Sequence, residues 1–187
     1  METTRNILFF GDSLTAGYGL MNPSLESFPA LIQDKIDRAG LPYKVINAGV
    51  SGETTTAGKN RIDLLLFQPI NIFVLELGAN DLLRGVPVAN AESNLQQIID
   101  KVGGKFPQVR MVLLGLEVPP YIADNYAIEF RQMFRKVAIR NNMTFVPFLL
   151  DGVAGIPQLN LKDGFHPTAA GYRIIADTVW KTLAQIL

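Results

Sequence analysis

Ile72-Phe73-Val74-Leu75-Glu76-Leu77-Gly78-Ala79-Asn80-Asp81 is the stretch from which the fold is read. Four apolar residues in succession, without the alternation of a half-exposed strand, mark a strand buried on both faces. A glycine and a polar cluster then end it. Met111-Val112-Leu113-Leu114 repeats the apolar pattern. Such strands belong to a parallel sheet covered by helices on each side, since a parallel connection needs a crossover long enough to hold a helix.

Working outward from this segment, strands are expected at Asn6–Phe10, Tyr43–Asn47, Ile72–Leu77, Arg110–Leu116 and Thr144–Phe148. Helical spacing fills the gaps near Ser27–Ala39, Thr54–Phe67, Ala89–Phe106 and Asn125–Asn142, with a last helix from about Thr168 to Ile186. In that helix Ile174, Ile175, Val179, Leu183 and Ile186 recur three and four residues apart, so one face packs on the sheet. The pattern predicts one doubly wound α/β domain over 1–187, of ordinary size for a single core. Right-handed crossovers bring all the carboxyl ends of the strands to one edge, where ligands bind in such sheets. Four polar, glycine-containing segments converge there: Gly11-Asp12-Ser13, Ala48-Gly49-Val50-Ser51-Gly52, Gly78-Ala79-Asn80-Asp81 and Asp163-Gly164-Phe165-His166.

Lys plus Arg and Asp plus Glu number 17 each, so the formal net charge is zero. Without a basic stripe to draw phosphates, a nucleic-acid partner is not expected. The chain has no cysteine, which excludes disulfides and thiolate chemistry. The polar start and the four-residue run Ile7–Phe10 fall short of a secretory signal, and nothing reaches the length of a transmembrane helix. A cytoplasmic location is expected for the chain as given, and a periplasmic or secreted one if a signal has been removed. Oligomeric state is not legible.

His166 is the single histidine. A serine hydroxyl is a poor nucleophile until a base removes its proton, and histidine is the usual base at neutral pH. Ser13, directly after the first strand, is the candidate nucleophile; its other reading is a helix cap. His166 is the candidate base and then acid, and Asp163, three residues before it, the carboxylate that orients the ring. Without Ser13, these two read as loop residues ahead of a helix capped by Thr168. Acyl transfer also needs donors for the oxyanion, and Ser13 N–H, Gly52 N–H and the Asn80 side chain are candidates. Equally open, Gly52 serves only a turn, while Asn80 and Asp81 cap the next helix. Asp12, adjacent to the nucleophile but pointing away, is expected to bond backbone amides and to support stability as well as rate.

Taken together the four segments resemble the sequence blocks of the GDSL or SGNH hydrolases: Gly11-Asp12-Ser13-Leu14, then Gly52, then Gly78-Ala79-Asn80-Asp81, then Asp163-Gly164-Phe165-His166. Within that family the chain is similar to the bacterial acyl-CoA thioesterase, lysophospholipase and arylesterase subgroup. Gly11–Tyr18, Glu76–Gly85 and Pro119-Pro120-Tyr121 carry that likeness. The resemblance implies a three-layer, flavodoxin-like parallel five-stranded sheet and a Ser13–His166–Asp163 triad. It also implies an oxyanion hole from Ser13, Gly52 and Asn80, and no metal or other cofactor. The implied substrate is a small acyl ester or thioester.

Val118, Pro119, Pro120, Tyr121 and Ile122 form an apolar loop after the fourth strand, and Leu82, Leu83 and Phe165 lie beside the catalytic blocks. These side chains either receive an acyl chain or seal the top of the core. A carbohydrate deacetylase would use the same parts, yet would want polar or stacking groups around the cleft. A flavin- or nucleotide-binding module is the rival of another class. Gly17-Tyr18-Gly19 lacks the third glycine of a dinucleotide fingerprint, and Gly58-Lys59-Asn60 lacks both the spacing from Gly52 and the hydroxyl of a P-loop.

Overall fold

The computed structural model of the chain describes residues 4–118 and 124–187. Five strands form one parallel sheet: β1 (Arg5–Gly11), β2 (Tyr43–Gly49), β3 (Ile72–Glu76), β4 (Arg110–Leu114) and β5 (Thr144–Val146), in the order β2-β1-β3-β4-β5. The chain moves outward from β1 to β2, then returns past β1 and runs the other way. With right-handed crossovers, that reversal places connections on both faces. Helices α1 (Ser13–Ala16), α2 (Pro23–Glu26) and α3 (Phe28–Arg38) follow β1. After β2 comes α4 (Thr55–Arg61); α5 (Ala79–Leu83) and α6 (Val88–Lys105) follow β3. Beyond β4 and β5 lie α7 (Asn125–Arg140) and α8 (Ala169–Leu183). α3 packs against α8, while α4, α6 and α7 pack in a row. These are the two outer layers of the expected α/β/α arrangement.

Every residue of β3 is buried, as its unbroken apolar run requires. Phe9 meets Phe28 of α3 edge to face at 5.6 Å, and Phe130 meets Phe134 likewise at 5.3 Å. Side-chain caps start the helices: Ser27 accepts from Ala30 N, Thr54 from Ala57 N, Asp124 from Ala127 N and Thr168 from Gly171 N. Such a cap is typically worth about 1 kcal/mol. Among the described residues no helix is long and apolar enough to cross a membrane.

The ends of β3 and β4 differ from expectation for a common reason. β3 ends at Glu76 and β4 at Leu114, before the apolar runs end. Leu77 and Leu116 leave the ladder yet stay buried, so hydrophobicity alone overstates the strand. The helix expected over Thr54–Phe67 stops at Arg61 and tightens into a 3₁₀ turn over Ile62–Leu65. α2, a single turn begun by Pro23, was not expected.

β2 forms one edge of the sheet, and side chains occupy its outer side. Val45 N donates to Gln33 Oε1 at 2.6 Å and Gly49 N to Asn47 Oδ1 at 3.0 Å, while Gln33 Nε2 donates to Tyr43 O at 3.2 Å.

Candidate active site

Ser13 stands at the switch point of the sheet, where β1 and its neighbour β3 lead in opposite directions. Gly11 ends β1, paired with Gly49 on one side and Glu76 on the other. A Cβ at Gly11 would lie 2.2 Å from Thr15 Oγ1 and 2.6 Å from Glu76 Oε2, so only glycine fits. Asp12, not Ser13, caps α1: its Oδ1 accepts from Leu14 N at 3.0 Å. Ser13 is thereby the first residue of that turn, free of the capping role.

His166 reaches Ser13 from the loop before α8. Leu161 N donates to His166 O at 2.7 Å and Thr168 N to Leu159 O at 2.8 Å, a short antiparallel bridge that pins this loop. Gly164 takes φ +74°, which lets the chain double back within three residues. Asp163 Oδ1 then accepts from Phe165 N at 2.9 Å and His166 N at 3.0 Å. Asp163 Oδ2 meets His166 Nδ1 at 2.7 Å, and His166 Nε2 meets Ser13 Oγ at 2.8 Å. Because a carboxylate only accepts, Nδ1 carries the proton and Nε2 is left to accept from the serine. The backbone N–H of His166, its ring and the N–H of Phe165 hold the Asp163 carboxyl down to about 2. Tyr18 covers the other side of the ring, its centroid 4.5 Å away.

The turn after β2 brings Gly52 to the same edge at φ +80°, a conformation that side chains other than glycine rarely adopt. Val50 N donates to Gly11 O at 2.9 Å, and Arg84 Nη2 to Gly52 O at 3.1 Å. Beneath, Arg61 grips Glu53 through Nε at 2.6 Å and Nη2 at 2.5 Å and also donates to Ala48 O at 2.9 Å. Its guanidinium lies 4.3 Å from the Phe10 ring centre. Asn80 Nδ2 donates to Asp12 Oδ2 at 3.1 Å and to Glu53 O at 3.0 Å. Both amide hydrogens of Asn80 are therefore engaged. By contrast, the N–H groups of Ser13 and Gly52 meet no acceptor among the described residues. Asp81 does not cap its own helix: it accepts from Thr55 N at 2.8 Å and Thr55 Oγ1 at 2.7 Å, tying α5 to α4.

Sequence reasoning passed over one part of the site. Glu76, the last residue of β3, is fully enclosed; its Oε2 accepts from Asp12 N at 3.2 Å and Thr15 Oγ1 at 2.8 Å. Burial, with the neighbouring Asp12 charge, pushes Glu76 well above the usual carboxylate range; burial likewise raises Asp12 to about 6. An acid inside the apolar run Ile72–Leu77 was the available signal.

Of the candidate acyl-contacting residues, Leu83 and Phe165 are well exposed at this edge, and Leu82 is half-buried against the core. Val118 is buried, so it seals the core. Pro119, Pro120, Tyr121 and Ile122 lie outside the described residues. A cleft of about 550 Å³, lined in part by Arg110, Met111 and Thr144, lies at the opposite edge, where β4 and β5 begin.

A model of the GDSL-like lipase/acylhydrolase family matches residues 9–174. Esterase TesA of Pseudomonas aeruginosa is 34% identical over 184 residues, 98% of this chain and 90% of the relative. Thioesterase 1/protease 1/lysophospholipase L1 of Escherichia coli is 33% identical over 182 residues, 97% of this chain and 84% of the relative. A crystal structure of TesA superposes with a TM-score of 0.90 at 34% identity, covering 98% of this chain and 100% of that one.

Proposed function

The chain belongs to the GDSL-like lipase/acylhydrolase family and is a serine hydrolase of ester bonds; from that premise we propose that Ser13, His166 and Asp163 perform the reaction on acyl esters and thioesters. The observation that carries this reading is the unbroken chain Asp163 Oδ2–His166 Nδ1 and His166 Nε2–Ser13 Oγ, at 2.7 and 2.8 Å. As Ser13 Oγ attacks the acyl carbonyl, its proton passes to Nε2. The imidazolium so formed is stabilised by the Asp163 carboxylate, which stays ionised throughout. The carbonyl oxygen gains the negative charge and meets the N–H groups of Ser13 and Gly52. Asn80 joins them by sharing one of its two engaged hydrogens. His166 then protonates the leaving alcohol or thiol, and an acyl-serine remains. Water, deprotonated by the same nitrogen, attacks it and releases the acid and free Ser13.

Acyl chains are the substrate class that fits the edge: Tyr18, Leu83 and Phe165 are exposed apolar surface there, and pockets for such ligands are mostly apolar. The names esterase and thioesterase/lysophospholipase borne by the relatives point the same way. All five strands belong to one sheet, which supports reading 1–187 as one catalytic domain.

Initial rates on p-nitrophenyl esters from acetate to palmitate, with Ser13→Ala alongside, test this. The variant is expected to lose activity by a factor on the order of 10⁶ while melting like the wild type. Full residual turnover would eliminate Ser13 as nucleophile. An optimum at medium or long chains supports the acyl reading, whereas activity confined to acetate would shift the substrate to acetylated carbohydrate.

A further inference from the structure

Beneath the Gly11-Asp12-Ser13 turn lies a carboxyl group that the hydrolytic steps leave unused. Glu76 sits opposite Gly11 in the β1–β3 ladder and is 1% exposed. Its Oε2 takes hydrogens from Asp12 N and Thr15 Oγ1. Its Oε1 is equally enclosed and meets no donor among the described residues. As a carboxylate, Glu76 would hold a full charge in the core with one oxygen stranded. As an acid of the same shape, it needs only an acceptor for its proton. Asp12 is the acceptor beside it: its backbone N–H already meets Glu76 Oε2 at 3.2 Å and its charge faces Glu76, and two enclosed carboxyls so close ionise together only at high cost.

The pair leads outward to Asn80. Asp12 Oδ1 is held by Leu14 N, and its Oδ2 takes one hydrogen of the Asn80 amide. The titratable groups facing the two acids are Tyr172, from α8, and His166, from the loop before it. Burial, Glu76 and Asp12 raise the Tyr172 phenol, which stays neutral.

We propose that Glu76 is a neutral carboxylic acid that donates its proton to Asp12, and that this shared proton lets Asp12 position Asn80 without withholding its amide hydrogen from the oxyanion. Glu76 is thus a positioning residue, acting through Asp12 and Asn80. The direction of both ionisations agrees: burial and the Asp12 charge push Glu76 well up, and burial raises Asp12 to about 6. With the proton gone, Asp12 would hold the Asn80 hydrogen more strongly. Two negative charges would then stand behind the third that forms on the substrate, which opposes catalysis. The inference rests on Asn80 as an oxyanion donor.

Carbon-13 NMR of the whole protein, labelled at glutamate side-chain carboxyls, reads the proton directly. One glutamate resonance is expected to keep the shift of a protonated acid at neutral pH while the others have ionised. If all have ionised, the proposal is overturned. Kinetics supply the second arm. Glu76→Gln keeps a neutral donor and is expected to rescue most of kcat, whereas Glu76→Ala lowers kcat about tenfold or more with KM little changed. As pH rises, the wild type is expected to lose kcat when the shared proton leaves, and Glu76→Gln, with nothing there to ionise, is not. Equal losses in the two variants, or alkaline profiles that superimpose for wild type and Glu76→Gln, overturn it. Asn80→Ala tests the underlying reading separately: unchanged kcat would remove Asn80 as a donor and leave the NMR signal in place.

Discussion

Asp163 and Asp12 serve the same edge of the sheet, one on each side of Ser13, yet their carboxyls ionise in opposite directions. The Asp163 side chain is 39% exposed, and two amides of its own turn plus the His166 ring hold it down to about 2. Asp12 also accepts two hydrogen bonds, from Leu14 N and Asn80 Nδ2. It is fully buried, and burial outweighs those donors, raising it to about 6. Donor count therefore does not set acidity alone; loss of solvent reverses it. The exposed aspartate keeps a charge that an imidazolium can lean on. The enclosed one shares a proton and fixes a shape.

The comparison breaks most visibly at Asp163. Asp163→Asn should lower kcat by up to about 10⁴-fold, because an amide at that position favours the wrong imidazole tautomer. A loss below tenfold in steady-state assays would remove Asp163 from the orienting role. Asp12→Asn should reduce kcat less, by about 10- to 10²-fold through a displaced Asn80. It should also lower the Tm, since the new amide nitrogen meets the Asn80 amide donor to donor, although its oxygen can still cap α1. A melt identical to wild type would place Asp12 outside the packing that holds the turn.

The smallest effect lies in how stability follows pH. Asp163 is lower in the folded state than its ordinary 3.8, so its contribution is present above that value and lost as pH falls toward 2. Asp12 is higher than its ordinary 3.8, so its contribution is full below that value and lost as pH rises through about 6. In urea melts across this range, Asp163→Asn should flatten the acid side of the wild-type curve, and Asp12→Asn the fall between about pH 4 and 6. Identical slopes in all three proteins would erase the distinction between the two aspartates.

The same contrast explains what the sequence disclosed. The proposed triad was suggested by His166 as the single histidine and by Asp163 three residues before it. The Asp163–His166 bond is local, whereas His166 and Ser13 are 153 residues apart and only their chemistry pairs them. The sheet was legible because burial on both faces leaves unbroken runs such as Ile72–Leu75. Glu76 and Arg61 were not, because their partners lie in other elements at no regular spacing. Asp12 and Thr15 are 64 and 61 residues from Glu76, and Arg61 acts on a turn eight and more residues before it. No periodicity reports which side chain meets which across strands. Tyr18 against His166 escaped as well, because a ring contact, unlike a nucleophile and its base, has no chemistry that pairs the two residues in advance.

The amides of Val45 and Gly49, taken up by Gln33 and Asn47, bear on how molecules of this enzyme behave toward one another. An open edge strand is a template on which a second chain can extend the sheet, the first step of fibrous self-association. β2 offers no such run at these positions, because its own neighbours have already filled them. Gln33 and Asn47 thus close these positions to an added strand, and Asn47 also ties the edge to α1 through Thr15 O.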